Sequence, residues 1–514
     1  MAFDWIEHIV IVMMENRSLD HMLGHLSLPE SPYIHMARFE GLKRPSPSWP
    51  PSYENRYGTQ SFFPTPLTHK ETIPDPGHER ANVRTQLNVQ NNVFGMNGFV
   101  SDYMSKPDKR KDPTYVMGYY SQPHLPVYDY FATHYVVCDH WFAPLPAATH
   151  PNRLMALCGY TEIDENISYP RQTLPDQDFL FDWLNRNKVS WRIYQDGVFS
   201  FFSMLSIMTH RFYDNVRSVR DLDSDLAGYD SATFPKVLWI EPKYTFGWGN
   251  GDDDHPPAAV RDGQEFLGNL YKVFRKKKEF WSKALMIVTY DEHGGFFDHL
   301  PPLPVVTNPP SGLKRSYSGF TSSGIRVPGF LISPYVLPQS LYSKNVDHTS
   351  ILKLIGARFA PDQRYSDAVN LRGAGILGGL GSAILPERYP APRLQGIDGA
   401  LRELPGYGDT PSAYESSYRE VARNVARQYV YVGPKRAPVD EELLPPTMLG
   451  LIRETDQEPR KRFLRNRAIV IQALLAGDLS PSRKKEFCRV HQMLPRELNR
   501  LIQEVVINAR RSLR

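Results

Sequence analysis

Residues 289–299, TYDEHGGFFDH, place two adjacent carboxylates, Asp291 and Glu292, where an apolar run meets a glycine pair. The run, ALMIVTY at 284–290, has the continuous apolar character of a strand buried on both faces. Two acids at such a point are costly to bury unless a cation neutralises them. A bound metal would do so; a helix cap plus one solvated acid would also serve. The pattern recurs at HIVIVMM, residues 8–14, which ends in Glu15 and Asn16. The carboxyl ends of strands in an open α/β sheet are where ligands bind.

Other chemistry-bearing residues lie in loops and at helix starts. His78 follows a Pro-, Ser-, Tyr- and Thr-rich excursion over 44–76. In APLPAATHPNRLMALCG, Pro151 fits a first helical position. Thr149 is then expected just before a helix N-terminus, where free N–H groups favour an anion, or where a threonine simply caps. Asp252, Asp253, Asp254 and His255 form an acidic loop without EF-hand spacing. His348 leads DHTSILKLIGARF into an expected helix.

The elements that must position these residues alternate in type. Strands are expected at 8–14, 135–142, 188–194, 236–240, 284–290 and 327–336, with helices after 18, over 125–134, after 150, over 261–275 and after 348. This alternation predicts an α/β fold with a doubly wound sheet over residues 1–360. Residues 361–412 read as an irregular Gly/Pro-rich connector, and 413–514 as a helical C-terminal region. Residues 451–514 carry 15 Lys/Arg against 7 Asp/Glu, so the rest of the chain, whose total is +4, is slightly acidic. These basic helices are a candidate for peripheral membrane contact.

The chain of 514 residues, with 41% hydrophobic content, is globular in composition. Its small net charge gives no reason to expect nucleic-acid binding. Cys138, Cys158 and Cys488 provide neither a disulfide framework nor a zinc spacing. No run is long enough to span a bilayer. The N-terminus lacks the features of a Sec signal, so a cytoplasmic location is the expectation, with export by another route as the alternative. Tyr119, Tyr120, Trp141, Trp191 and Trp248 could box a quaternary ammonium or simply pack the core.

Six stretches, in order, resemble the bacterial phosphoesterase family of non-specific phospholipases C and related acid phosphatases: MMENRSLDHMLG (13–24), THPNR (149–153), DDHPP (253–257), TYDEHGGFFDH (289–299), GFLISPY (329–335) and DHTSILKLI (347–355). The resemblance covers about residues 5–360. It implies an alkaline-phosphatase-like, mostly parallel sheet flanked by helices, and cleavage through a covalent phospho-enzyme. Carried over by motif, Glu15, Asn16, Thr149, Asp291 and Glu292 would ligate one metal, with Thr149 also the nucleophile. His78 and His255 would contact phosphate, and His293, His299 and His348 are further substrate-contact candidates. An all-oxygen set suits a hard cation, Ca²⁺, Mg²⁺ or Mn²⁺. The leading expectation is phospholipase C-type hydrolysis of a phosphodiester with a phosphocholine- or phosphoethanolamine-like head group. The alternatives are an acid phosphatase on soluble monoesters and a non-catalytic lipid- or nucleotide-binding protein on the same scaffold.

Overall fold

The structure is a computed structural model. It describes residues 3–404 apart from 34–35, 37, 46, 68–72, 106–110, 168–173, 176, 197–200, 206–214, 245–250, 306–318, 364 and 373–375. The helical reading of 413–514, with its basic charge and Cys488, and the reading of Trp248 lie outside the described residues.

Eight strands form the central sheet: β1 (His8–Met14), β2 (Val136–Cys138), β3 (Trp191–Gln195), β4 (Val216–Ser218), β5 (Val237–Glu241), β6 (Ala284–Tyr290), β7 (Gly329–Ile332) and β8 (Ser340–Tyr342). Their spatial order is β4-β3-β5-β1-β6-β7-β2-β8. All neighbours run parallel except that β7 is antiparallel to both β6 and β2. Every residue of β1, β5 and β6 is buried, as expected for central strands with elements on both faces. The sheet is thus mixed α/β and mainly parallel. Helices α1 (Leu19–Leu23), α2 (Arg80–Leu87), α3 (Pro126–His134), α4 (Thr149–Cys158), α5 (Val260–Lys276) and α6 (Thr349–Phe359) complete the layers used below.

Three expectations need correction. The single strand expected over 135–142 breaks at Asp139: β2 stays in the main sheet, while Trp141–Phe142 pairs with Val346–Asp347. The break follows from Asp139, whose Oδ2 accepts from Glu40 N at 3.1 Å and whose carbonyl accepts from Arg326 Nη1 at 2.8 Å. β7 is only four residues long, bounded by Pro328 and Pro334, which cannot donate to a ladder. Part of the stretch expected to be an irregular connector is helical: α7 (Leu394–Arg402) buries Ile397 and Ala400, and Asp398 pairs with Lys272 of α5 at 2.6 Å. Its apolar positions at i and i+3 were hidden among prolines and glycines.

Tyr120, Trp141 and Trp191 are buried in the main hydrophobic core and Tyr119 in a second apolar cluster. Among the described residues, no helix is long and apolar enough to cross a membrane.

Candidate functional site

β1 and β6 are adjacent and in register to their last residues, Met14 opposite Tyr290. Glu15 and Asp291 therefore leave the sheet side by side at its carboxyl edge. Asp291 N donates to Met14 O at 3.0 Å, continuing the ladder one step. β5 lies on the other flank of β1 and ends in Glu241, so a third acid reaches the same edge.

Two unusual backbone conformations close the site. Asn16 has φ 58° and Gly294 φ 66°. A Cβ on Gly294 would lie 2.0 Å from Asn16 O, and one on Gly295 2.6 Å from Gly77 O. The glycine pair thus lets the 291–295 turn, the Asn16 bend and the segment before His78 share one space. Asn16 N donates to Asp291 Oδ1 at 3.1 Å. Its side chain joins two further motifs: Oδ1 accepts from Thr149 Oγ1 at 3.3 Å, and Nδ2 lies 3.4 Å from His78 Nε2.

Thr149 is the first residue of α4, which begins two residues earlier than expected, and Pro151 is its third. The cap residue is Ala148, with no side-chain cap bond, so the Thr149 hydroxyl is not used as a cap. It is buried at the positive end of the helix dipole, where His150 N donates to Asn166 Oδ1 at 2.9 Å and Asn152 N to Ala148 O at 3.3 Å.

Arg153 is the residue that motif reading left without a role. It stands four places after Thr149, on the same helix face. Nη1 contacts both Glu241 oxygens at 2.9 Å, Nε donates to Asp291 Oδ2 at 3.3 Å, and Nη2 lies 3.2 Å from Glu15 Oε1. Trp239 Nε1 and Tyr244 OH also donate to Glu241, at 2.6 and 2.7 Å. One guanidinium therefore faces three buried carboxylates, which leaves a deficit of positive charge. Burial pushes the Glu15 carboxyl well above the usual range despite Arg153. Burial likewise pushes Glu292 up to about 8.

Among the described residues, three buried carboxylate oxygens lack a hydrogen-bond donor: Asp254 Oδ1, and at the sheet edge Glu292 Oε1 and Glu15 Oε1, the last of which Arg153 approaches at 3.2 Å. Orphaned, electron-rich oxygens in an all-oxygen neighbourhood fit a hard divalent cation. Among the described residues, the groups whose His, Asp or Glu ligand atoms lie within 4.8 Å of one another are Asp75–His78–His255 and Asp20–Asp298–His299. The oxygens of Glu15, Asp291 and Glu292 are more widely spread than that.

His78 and His255 face each other edge to face, with ring centroids 5.7 Å apart. Their Nδ1 atoms meet carbonyl oxygens, Pro76 O at 2.9 Å and Pro256 O at 2.6 Å. A carbonyl only accepts, so Nδ1 carries the proton and Nε2 is the titrating position. Burial pulls His78 down, but Glu292 and Asp75 more than reverse it; for His255, Asp75 and Asp253 do the same. Asp254, at φ 70°, holds the loop before His255: its Oδ2 accepts from Tyr128 OH and from Tyr290 OH, and its carbonyl from Arg17 Nε at 2.8 Å.

The other three histidines are placed differently from expectation. His293 Nε2 donates to Gln86 Oε1 at 2.8 Å, and burial holds the ring at about 3, so its 3.2 Å approach to Glu292 is not an ion pair. His348 accepts from Trp141 Nε1 at 3.0 Å and donates from Nε2 to Asp291 O at 2.8 Å. Both rings are buried and already engaged, so they orient the acidic turn instead of meeting a ligand. His299 belongs to a separate network with Asp20, Glu40 and Arg326.

A family model described as "Phosphoesterase family" matches residues 6–360. The chain belongs to the Phosphoesterase family. Over 346 residues it is 32% identical to non-specific phospholipase C1 of Arabidopsis thaliana, covering 64% of this chain and 61% of that one. The chain thus spans about three fifths of that plant relative. It is 28% identical over 456 residues to phospholipase C A of Mycobacterium tuberculosis (strain ATCC 25618 / H37Rv), covering 78% of this chain and 82% of the other. The lipoteichoic acid synthase LtaP of Listeria monocytogenes aligns over 81% of this chain and 94% of its own, at 10% identity and a TM-score of 0.31.

Proposed function

We propose that this phosphoesterase hydrolyses a phosphodiester in the manner of a phospholipase C, releasing a phosphorylated head group through a phosphothreonine at Thr149. The observation that carries the reading is the Thr149 hydroxyl, 3.3 Å from Asn16 Oδ1 and uncommitted to capping, at a sheet edge crowded with acids. The phospholipase C names of the relatives favour a diester over a monoester substrate. The strand order, with its single reversed strand, accords with an alkaline-phosphatase-like sheet.

Glu15, Asn16, Thr149, Asp291 and Glu292 would hold one Ca²⁺, Mg²⁺ or Mn²⁺, which when bound supplies Lewis-acid charge and lowers the pKa of the threonine hydroxyl. Thr149 Oγ1 gives up its proton to solvent and forms the new bond to phosphorus as the bond to the departing alkoxide breaks. The positive dipole end of α4 faces the charge that develops on the phosphoryl oxygens. His78 and His255, held toward the protonated form, donate from Nε2 to those oxygens or to the leaving alkoxide. Water then cleaves the phosphothreonine, restoring the hydroxyl.

Comparing p-nitrophenylphosphorylcholine with p-nitrophenyl phosphate, after chelation and divalent-metal add-back, tests this reading. Faster turnover of the choline diester is the expected result. Preference for the monoester would establish an acid phosphatase instead. Inertness toward a broad phosphoester panel would leave a binding protein.

A further inference from the structure

We infer that Asn166 is a positioning residue of the phosphoester reaction, fixing Thr149 and His78 relative to each other from outside the site. The inference rests on the phosphothreonine reading above. Thr149 opens α4, and α2 begins two residues after His78. Neither helix start is capped by its own side chain. The cap residue of α2 is Glu79 and that of α4 is Ala148, and neither makes a side-chain cap bond.

Asn166 connects the two starts. Its backbone N donates to Glu79 Oε2 at 3.1 Å, so the Glu79 carboxylate is turned away from its own helix. Its Oδ1 accepts from His150 N, in the first turn of α4, at 2.9 Å, the acceptor that Ala148 cannot offer. The neighbours of Asn166 repeat the link on both sides. Ile167 N donates to His150 Nδ1 at 2.9 Å, and Asp164 Oδ2 accepts from Arg80 Nη1 at 2.7 Å. One short loop segment, 164–167, therefore holds both helix starts.

On the inner side Asn16 makes the complementary link, to Thr149 Oγ1 at 3.3 Å and to His78 Nε2 at 3.4 Å. Thr149, His150, Asn166, Glu79, His78 and Asn16 thus form a closed circuit. In the proposed mechanism the Asn16 side chain is committed to the metal, which leaves Asn166 to keep the spacing when a phosphoester enters between Thr149 and His78. That spacing matters: a misplacement of about 1 Å can cost roughly a hundredfold in rate. Glu79 and Asn166 are only half-buried, so their bonds weigh more on geometry than on stability.

The test uses the full chain with its divalent ion restored, and whichever of p-nitrophenylphosphorylcholine and p-nitrophenyl phosphate the wild type turns over faster. Asn166→Ala should lower kcat by about ten- to a hundredfold at a KM within about twofold of wild type. Asn166→Asp keeps an oxygen for His150 N and should recover most of that loss. Glu79→Ala breaks the circuit at its other bond and should show a similar fall. The double variant, Glu79→Ala with Asn166→Ala, should fall no further, because two bonds in series fail together. Wild-type kcat in Asn166→Ala overturns the inference, and so do losses that multiply in the double variant. Thr149→Ala in the same assay separates the failures: near wild-type turnover there rejects the phosphothreonine reading, while wild-type kcat in Asn166→Ala rejects the positioning role alone. Glu79 makes no cap bond to its own helix, so Glu79→Ala decides the matter if Asn166→Ala does not fold.

Discussion

Thr149 and Asn16 meet at 3.3 Å although 133 positions separate them, and the contact joins the start of α4 to the end of β1. Removing the hydroxyl takes away the proposed nucleophile but only one weak buried hydrogen bond. Thr149→Ala is expected to lower turnover by about a thousandfold or more, with an unchanged circular-dichroism spectrum. Thr149→Ser, which keeps an oxygen at the position, should retain measurable activity. Near wild-type rates in the alanine variant would remove Thr149 from the mechanism.

Arg153 is the principal counter-charge of the sheet edge, facing Glu241, Asp291 and Glu15 with a fully buried guanidinium. Truncating one partner of a buried ion network leaves the others uncompensated and costs about 3–5 kcal/mol. Arg153→Met should therefore lower the unfolding free energy by that amount, seen as a lower urea-unfolding midpoint at an unchanged m-value. Arg153→Lys should rescue it poorly, since one ammonium cannot reproduce the guanidinium fork. A midpoint within experimental scatter of wild type would show that the three acids are neutralised by something else.

How much of this was legible in the sequence depended on whether the signal was local. The exits of β1 and β6 could be read, because an apolar run that stops at an acid is visible within a few residues. Asn16, Asp291 and Glu292 are indeed gathered at one edge, and Thr149 reaches Asn16. Glu241 followed a strand in the same way but gave no motif to distinguish it. Arg153 was hidden for another reason: its role exists only once three strand ends converge, although its i+4 spacing from Thr149 was a usable clue. His293 and His348 stood beside acids and read as ligand contacts; burial and their partners, Gln86 and Trp141, make them struts instead. The break at Asp139 was equally invisible, since Glu40 and Arg326 come from distant segments.

His299 gives a pH signature outside the sheet-edge site. Burial opposes its charge, but Asp20 and Glu40 raise it to about 9. The folded-state value lies above the unfolded one of 6.5. Its contribution is therefore complete below pH 6.5 and disappears as pH rises through about 9. The full shift corresponds to at most about 3 kcal/mol. Chemical denaturation between pH 6.5 and 9.5 should show this loss in the wild type and a flatter profile in His299→Gln. Parallel profiles would mean that the imidazolium does not hold Asp20 and Glu40 together.

Glu292 predicts the opposite kind of linkage for the metal site. Burial raises its carboxyl to about 8, so without a cation the fold favours the protonated form. The chelated protein should then lose stability as pH climbs from the unfolded value of about 4.3 towards 8, because ionisation is easier in the unfolded chain. A hard divalent cation favours the ionised form, so adding one near pH 7 should release protons and abolish that loss. At a hundredfold excess over Kd the stabilisation is about 2.7 kcal/mol. Glu292→Gln should reduce both the proton release, followed by calorimetry in two buffers of different ionisation enthalpy, and the thermal shift. If neither changes when Ca²⁺, Mg²⁺ or Mn²⁺ is added to the chelated wild type, the orphaned oxygens of Glu15 and Glu292 are not a cation site. The proposed activation of Thr149 would then have no source.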